Sequence, residues 1–321
     1  MVRRRYIIST RRTGLGDRLV SLGAAWRFAR GSGRILVADW RFSAYSPDTR
    51  ANLFTLCFEG ASDLAGVPFI GDDSVGSLGL PGNPGRTVLE AVRHRLTGCR
   101  RLSLEEAERL LTGGRDIDGR GLLLDSCIAD GSTPVEESRA FLSALRPVPR
   151  IASAVAAFRG GLGEGPVIGL HIRHGNGGDV MDHGRFWSSF QPAIARCVAA
   201  VRHARTQFGP AAIVLLCTDS AEVEHAIKES VTGVVTRKKI YRDPGDGELH
   251  LWRGAFLVRD DAMIEMLLLA ECDALIRYPP RSFFSFYAAV MKPSRERRAD
   301  TMRNLENHWD PADPLSPAIL F

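Results

Sequence analysis

No apolar run in this sequence approaches the ~18 residues that a membrane-spanning helix requires. The nearest, Met263–Ala270, is broken by Glu265. The 6 cysteines, at 57, 99, 127, 197, 217 and 272, include no Cys-x-x-Cys pair, so free thiols in a reducing compartment are expected. Arg3-Arg4-Arg5 precedes only a short apolar stretch, too little for a secretion signal. The 8 histidines lack paired metal-ligand spacing, and no Gly-x-Ser-x-Gly motif marks a hydrolase nucleophile. Internal repeats and low-complexity tracts are also missing. The basic excess is small, 42 Lys and Arg against 37 Asp and Glu, and it is spread along the chain. Nucleic-acid binding calls for a concentrated basic face with interleaved aromatics, so no such partner is expected.

What is present is an ordinary globular composition. With 45% apolar residues the chain is not disordered, and 321 residues suggest two domains on a prior of ~150 each. Early on, Tyr6–Thr10 reads as a strand, Leu19–Arg30 as a helix and Arg34–Trp40 as a buried strand. Residues 43–100 are rich in Gly, Pro and Asn and carry no clear period. Ser103 with Glu106 has capping-box spacing for a helix through Leu111, and Leu122–Ile128 is a further strand. Thr133, Pro134 and Glu136 fit N-cap, N1 and N3 of the next helix.

A Pro- and Gly-interrupted patch before Val167 marks a change of texture. Strands then alternate with helices: Val167–Ile172, Phe186–Phe208, Ala212–Cys217, Ala221–Ser230, a strand within Val234–Tyr241, Asp261–Cys272, Ala274–Tyr278 and Phe283–Met291. Asp219 and Glu222 have capping-box spacing at the start of 221–230. Such alternation predicts an α/β fold, its second half a doubly wound, Rossmann-like parallel sheet. Three parts are expected: an N-terminal α/β domain at 1–150, a Rossmann-like domain at 151–300 and a tail at 301–321. Ligands in these sheets bind at the carboxyl ends of the strands. That directs attention to His171–Asp179, Thr218–Ser220 and Arg277–Ser282.

The most unusual of these is Gly169-Leu-His-Ile-Arg-His-Gly-Asn-Gly-Gly-Asp179. Alternation places His171 and Arg173 on one side of the strand, near its end, before a glycine-rich loop. A guanidinium beside exposed backbone N–H groups makes a phosphate site. Arg11-Arg-Thr-Gly-Leu-Gly-Asp17 is a second glycine-bearing turn after a strand. It lacks the third glycine of a dinucleotide fingerprint and the lysine of a P-loop. Thr218-Asp219-Ser220 begins a helix. Glu265 sits in an apolar helix face and needs a partner, either an arginine or the two adjacent N–H donors of a guanine. Asp116-Ile117-Asp118 resembles a metal-binding Asp-x-Asp but reads as a turn among Gly and Arg, so no metal is expected.

Arg173-His174-Gly175 resembles the phosphohistidine motif of histidine phosphatases. It lies past mid-chain here, without a convincing second histidine. A fuller match exists. His171-Ile-Arg-His-Gly-Asn-Gly-Gly-Asp179-Val-Met-Asp-His183 closely resembles the fucosyltransferases of rhizobial nodulation (NodZ type), whose family includes the animal core α1,6-fucosyltransferases. Arg11–Asp17, Leu216-Cys-Thr-Asp-Ser-Ala221 and Ile276-Arg-Tyr-Pro-Pro-Arg-Ser282 fit the same family in order.

The resemblance implies a two-domain GT-B glycosyltransferase of the bacterial branch, cytoplasmic, without cofactor or metal. It would transfer L-fucose with inversion from GDP-β-L-fucose to the 6-hydroxyl of a GlcNAc in an oligosaccharide acceptor, in the rhizobial case the reducing end of a chitin oligosaccharide. Arg173 would hold the β-phosphate. Animal members carry further charged groups after the arginine where this chain has Asn176 and Gly177, so the resemblance assigns no general base; Asp179 and Asp182 are the nearby carboxylates that can assist deprotonation of the hydroxyl. His171 and Glu265 would lie near the guanine. His174, Asn176, Asp219, Ser220, Arg281, Ser282 and Phe283 would line the donor site, with Gly14 and Gly16 contributing from the N-terminal domain. By residue type, Trp40, Arg41, Tyr45 and Arg50 are candidates for sugar stacking and hydrogen bonds. A non-catalytic nucleotide-sugar or glycan-binding protein is the other alternative beside the phosphatase.

Overall fold

The computed structural model describes residues 4–48, 50–78, 96–113, 116–125, 133–174, 190–241, 254–291, 307, 309–310, 312–313 and 315–321. The chain divides into two compact units, Met1–Val148 and Pro149–Phe321.

The first unit is built on a six-stranded sheet. Its elements run β1 (Tyr6–Ser9), α1 (Leu15–Ser32), β2 (Ile35–Ala38), α2 (Leu53–Cys57), β3 (Asp63–Leu64), β4 (Val67–Ile70), β5 (Cys99–Arg101), α3 (Leu104–Gly113), β6 (Gly121–Leu124) and α4 (Val135–Ser143). The spatial order is β3-β4-β2-β1-β6-β5. β1 lies centrally, parallel to β2 and β6, with Ile7 in register with Leu36 and Leu122. All four of its residues are buried, as a strand covered on both faces requires. Gly33 ends α1 in the left-handed region at φ 66°, where a Cβ would be strained. The capping box forms as expected: the Ser103 hydroxyl accepts from the Glu106 N–H at 3.1 Å, and Glu106 accepts from the Ser103 N–H at 3.0 Å.

Two local expectations are corrected. α1 begins at Leu15, four residues before the expected Leu19, so Gly16 is helical rather than part of a loop. α4 is capped by Pro134, not Thr133, because the Thr133 hydroxyl instead accepts a hydrogen bond from Arg27. Asp116 belongs to a structural cluster in which it pairs with Arg34 at 2.7 Å and with Arg5. Within 43–100, Asn52 organises the chain. Its amide donates to the carbonyls of Ala38 and Gly71 at 2.7 and 2.9 Å, and its carbonyl accepts from Trp40 N–H at 3.0 Å.

The second unit contains α5 (Pro149–Gly161), β7 (Val167–Ile172), α6 (Phe190–Phe208), β8 (Ile213–Thr218), α7 (Ala221–Ser230), β9 (Val234–Val235), α8 (Arg259–Ala270), β10 (Ala274–Tyr278), α9 (Phe286–Met291) and β11 (Ala318–Leu320). The sheet order is β11-β10-β7-β8-β9, parallel throughout except for β11. Part of the 301–321 stretch, expected as a tail, is thus an edge strand. Its residues Ala318 and Leu320 are apolar and buried, and they pair with Arg277 and Leu275 of β10.

Period-2 alternation divides this sheet's side chains between two layers. Ile168, Leu170, Ile172, Val214, Leu216, Ala274 and Ile276 form one core with the apolar stripes of α6 and α7. The opposite face meets α8. A Cβ on Gly169 would lie 3.0 Å from the Cys272 sulfur and 3.0 Å from Leu269, so this close approach of strand to helix needs glycine. The next residue on that face, two positions along, is His171.

Candidate active site

From β7 the chain proceeds outward in one direction through β8 and β9 and then crosses to the other side as β10. The strand order therefore reverses between β7 and β10, the place where open α/β sheets bind ligands. One row of residues crosses the sheet near its carboxyl edge there: Cys217 of β8, His171 of β7 and Arg277 of β10, in mutual register. All three are buried. Register partners share a face, so this row lies on the α8 side.

Two members of the row are held by their neighbours. Arg277 donates from Nε to the Ser285 hydroxyl at 3.0 Å and from a terminal nitrogen to the Ser282 carbonyl at 3.1 Å. The His171 ring stacks on Phe284 with centroids 5.0 Å apart and planes 19° apart. Its Nδ1 is buried with no hydrogen-bond partner among the described residues. Burial drives the His171 pKa well below the usual 6.5, and Arg277, Arg173 and Lys239 add to the effect by repulsion. His171 is therefore neutral, with a ring nitrogen available to a ligand.

The sign of that shift makes a prediction. The folded-state pKa is depressed, so the stability linked to His171 is fully present above pH 6.5 and is lost as the pH falls below it. Urea-unfolding midpoints measured across that range should decline toward acid, and His171→Gln should show a shallower decline. An unchanged slope in the variant would refute the linkage.

Beyond the row, β7 runs out at Arg173 and His174. The Arg173 N–H donates to the Tyr278 carbonyl at 2.8 Å, which fixes the strand tip against β10. Its half-buried guanidinium is close enough to depress the His171 pKa. The His174 N–H donates to the Asp219 carboxylate at 2.8 Å, and His174 Nδ1 lies 3.0 Å from the Ser220 hydroxyl. Ser220 is also the N-cap of α7, accepting from the Val223 N–H at 3.3 Å. This corrects the expected Asp219–Glu222 cap: Asp219 anchors the β7 tip, and the cap falls one residue later. His174, the nucleophile of the phosphatase reading, is buried and engaged by both neighbours.

Glu265, in α8, is buried and accepts from Lys239 at 2.5 Å. Burial raises its pKa, and the Lys239 ammonium works in the opposite direction. The partner is thus a lysine rather than the arginine weighed from sequence. At the turn after β10, Arg281 is exposed, Phe283 is half-buried and the Ser282 hydroxyl is buried without a hydrogen-bond partner among the described residues.

The second unit therefore gathers His171, Arg173, His174, Asp219, Ser220, Glu265 and Ser282 at one sheet edge. Asn176, Asp179 and Asp182 lie outside the described residues. Gly14 and Gly16 belong to the first unit, Gly14 as the N-cap of α1 and Gly16 in its first turn. Of the expected sugar contacts, Trp40 and Tyr45 are buried in the core and Arg41 is fastened to Asp39 at 2.8 and 2.9 Å; Arg50 is exposed. Phe42, between Arg12 and Arg41, is the exposed aromatic of that stretch. Sequence reading passed over Lys239 and Phe284; their relevance appears only when the chain folds back over β7 and β8.

The described helices include none long and apolar enough to cross a membrane. The five described cysteines are free and buried.

Known proteins resemble this chain along most of its length. The Nodulation protein Z (NodZ) family matches residues 3–300. Nodulation protein Z of Sinorhizobium fredii is 34% identical over 296 residues, covering 90% of this chain and 91% of the relative. That of Bradyrhizobium diazoefficiens is 33% identical over 303 residues, covering 90% and 80%. A crystal structure of NodZ alpha-1,6-fucosyltransferase soaked with GDP-fucose superposes with a TM-score of 0.69 at 29% identity, covering 90% of this chain and 93% of that one. With two α/β units of GT-B type and a family match along nearly the whole sequence, the chain belongs to the NodZ family of fucosyltransferases.

Proposed function

We propose that this enzyme transfers L-fucose from GDP-β-L-fucose to the 6-hydroxyl of a GlcNAc residue, the reducing end of a chitin oligosaccharide, with inversion and without a metal. The observation that carries the reading is Arg173 at the tip of β7, beside the buried His171–Arg277 row, at the point where the strand order reverses. The similar NodZ structure was soaked with GDP-fucose, which supports the donor.

The chemistry follows from where charge develops. Breaking the bond between fucose and phosphate leaves negative charge on GDP and positive charge on the sugar ring. Donors fixed in advance stabilise the departing diphosphate without reorganising during the reaction. Arg173 is that donor here, with a planar fork suited to phosphate oxygens. Asp219 and Ser220 position the β7 tip from which it projects. Neutral His171 and the carboxylate of Glu265 contact the guanine. Guanine's N1–H and 2-amino group are adjacent donors that suit such an acceptor. Asp179 or Asp182 takes the proton of the attacking hydroxyl.

The acceptor is tested by incubating the enzyme with GDP-fucose, EDTA and a panel of GlcNAc oligomers, then determining linkage and anomeric configuration by NMR. An α-linked fucose on O6 of the reducing GlcNAc is expected. A β-linked product, attachment at another position or dependence on added Mn²⁺ would each contradict one part of the proposal. A parallel assay with a simple aryl phosphate should give no phosphate release; hydrolysis there would favour the phosphatase reading.

A further inference from the structure

Lys239 pairs with Glu265 in a place where a buried ion pair contributes little net stability. The segment after β9 lies along α8 through two such contacts. Arg237 meets Asp261 at 3.1 Å and Lys239 meets Glu265 at 2.5 Å. The inner pair is the more buried, with side-chain exposures of 8% and 7% against 16% and 26% for the outer one. Lys239 also lies over the Tyr241 ring, 5.3 Å from its centroid, and the Tyr241 hydroxyl donates to Glu224.

The hydrogen-bonding capacity of this inner pair is mostly unused. Among the described residues, Lys239 gives one of its three N–H groups to Glu265 Oε1, and no bond reaches Oε2. An ammonium with spare donors therefore adjoins a carboxylate with a spare acceptor. Close by, within the electrostatic reach of Lys239, His171 carries a buried Nδ1 that also lacks a partner. Among the described residues, one orphaned ring nitrogen beside an ammonium and a carboxylate with further capacity suits a ligand that supplies both donors and acceptors. The Watson–Crick edge of guanine presents O6 as acceptor beside N1–H and the 2-amino group as donors. Adenine presents a donor at the 6-position and no 2-amino group.

We propose that Lys239 is a specificity-determining residue, donating to the 6-oxo group of the donor's purine while Glu265 accepts from N1–H and the 2-amino group. The inference rests on the base-binding role given to Glu265 above, and its test separates the two. Calorimetric titration of the full chain with GDP, IDP, which lacks the 2-amino group, and 6-thio-GDP, in which sulfur replaces O6, probes each contact alone. The wild type should favour GDP over 6-thio-GDP by about tenfold, the scale of one charge-assisted hydrogen bond. In Lys239→Met that ratio should fall toward one, whereas Lys239→Arg should keep most of it. Lys239→Gln, with a neutral donor, should fall between and serves if the Met variant does not fold. In Glu265→Gln the GDP-to-IDP ratio should collapse. An unchanged GDP-to-6-thio-GDP ratio in Lys239→Met, or none in the wild type, would overturn the role of Lys239. An unchanged GDP-to-IDP ratio in Glu265→Gln would overturn the base-binding reading beneath it.

Discussion

Arg173→Ala should lower the rate of fucose transfer by about 10²–10³ while leaving the protein folded, the scale set by loss of one preorganised donor to a developing anion. The argument depends on position. Arg173 is the last residue of the β7 tip to be fixed to β10, through its own N–H and the Tyr278 carbonyl at 2.8 Å. That backbone bond survives the substitution, as do the Asp219 and Ser220 contacts to His174. The lost part is a half-buried guanidinium, so the core behind it is untouched. Arg173→Lys should recover only a fraction of the rate, because an ammonium keeps the charge but not the planar fork. The readouts are kcat with saturating GDP-fucose and circular dichroism of the same samples. A variant that transfers at near-normal rate removes the diphosphate role of Arg173.

The largest stability effect should come from Arg34→Met, with a loss of about 3 kcal/mol, the low end of what removing one partner of a buried pair costs. Arg34 is fully buried and donates to Asp116 at 2.7 Å and to the carbonyls of Tyr6, Ile117 and Gly119 at 3.1, 2.5 and 2.9 Å. It ties the amino end of β1 and β2 to the approach of β6. Methionine replaces the volume but none of the donors, taking one donor from each of the three carbonyls and leaving the Asp116 carboxylate with Arg5 and the Ile117 N–H. Arg30→Met is the contrast. Its pair with Glu137 lies at the surface, where such contacts contribute less than about 1 kcal/mol. Urea unfolding followed by tryptophan fluorescence should separate the two variants. Equal midpoints would show that the Arg34 cluster is not what holds these strands.

The second unit was the more legible half because its signals are local. Each strand there is a short apolar run bounded by polar or glycine residues, and each helix repeats on its own period. That was enough to place Val167–Ile172 and Ala274–Tyr278 at the observed bounds and to single out His171 and Arg173 at a strand end. Residues 43–100 lack such periods. What orders their described part is Asn52, whose side-chain bonds reach Ala38 and Gly71, and no pattern along the chain announces those partners. Trp40 and Tyr45 have side chains suited to sugar contact, yet both are enclosed. The Lys239–Glu265 contact was hidden for the same reason as Asn52. Glu265 showed as a carboxylate in need of a partner, but the partner lies in a coil 26 residues away. Asp219 and Ser220 were recognised, with their roles exchanged by one position, because capping-box spacing does not reveal that a neighbouring strand tip competes for the first carboxylate.

A crystal structure of the enzyme with GDP tests the central claim most directly. The β-phosphate should lie within hydrogen-bond distance of the Arg173 guanidinium, with the guanine edge against Glu265 and Lys239 and the ring of His171 beside it. A diphosphate bound elsewhere, with the Arg173 side chain turned away and engaged by a carboxylate, would contradict it.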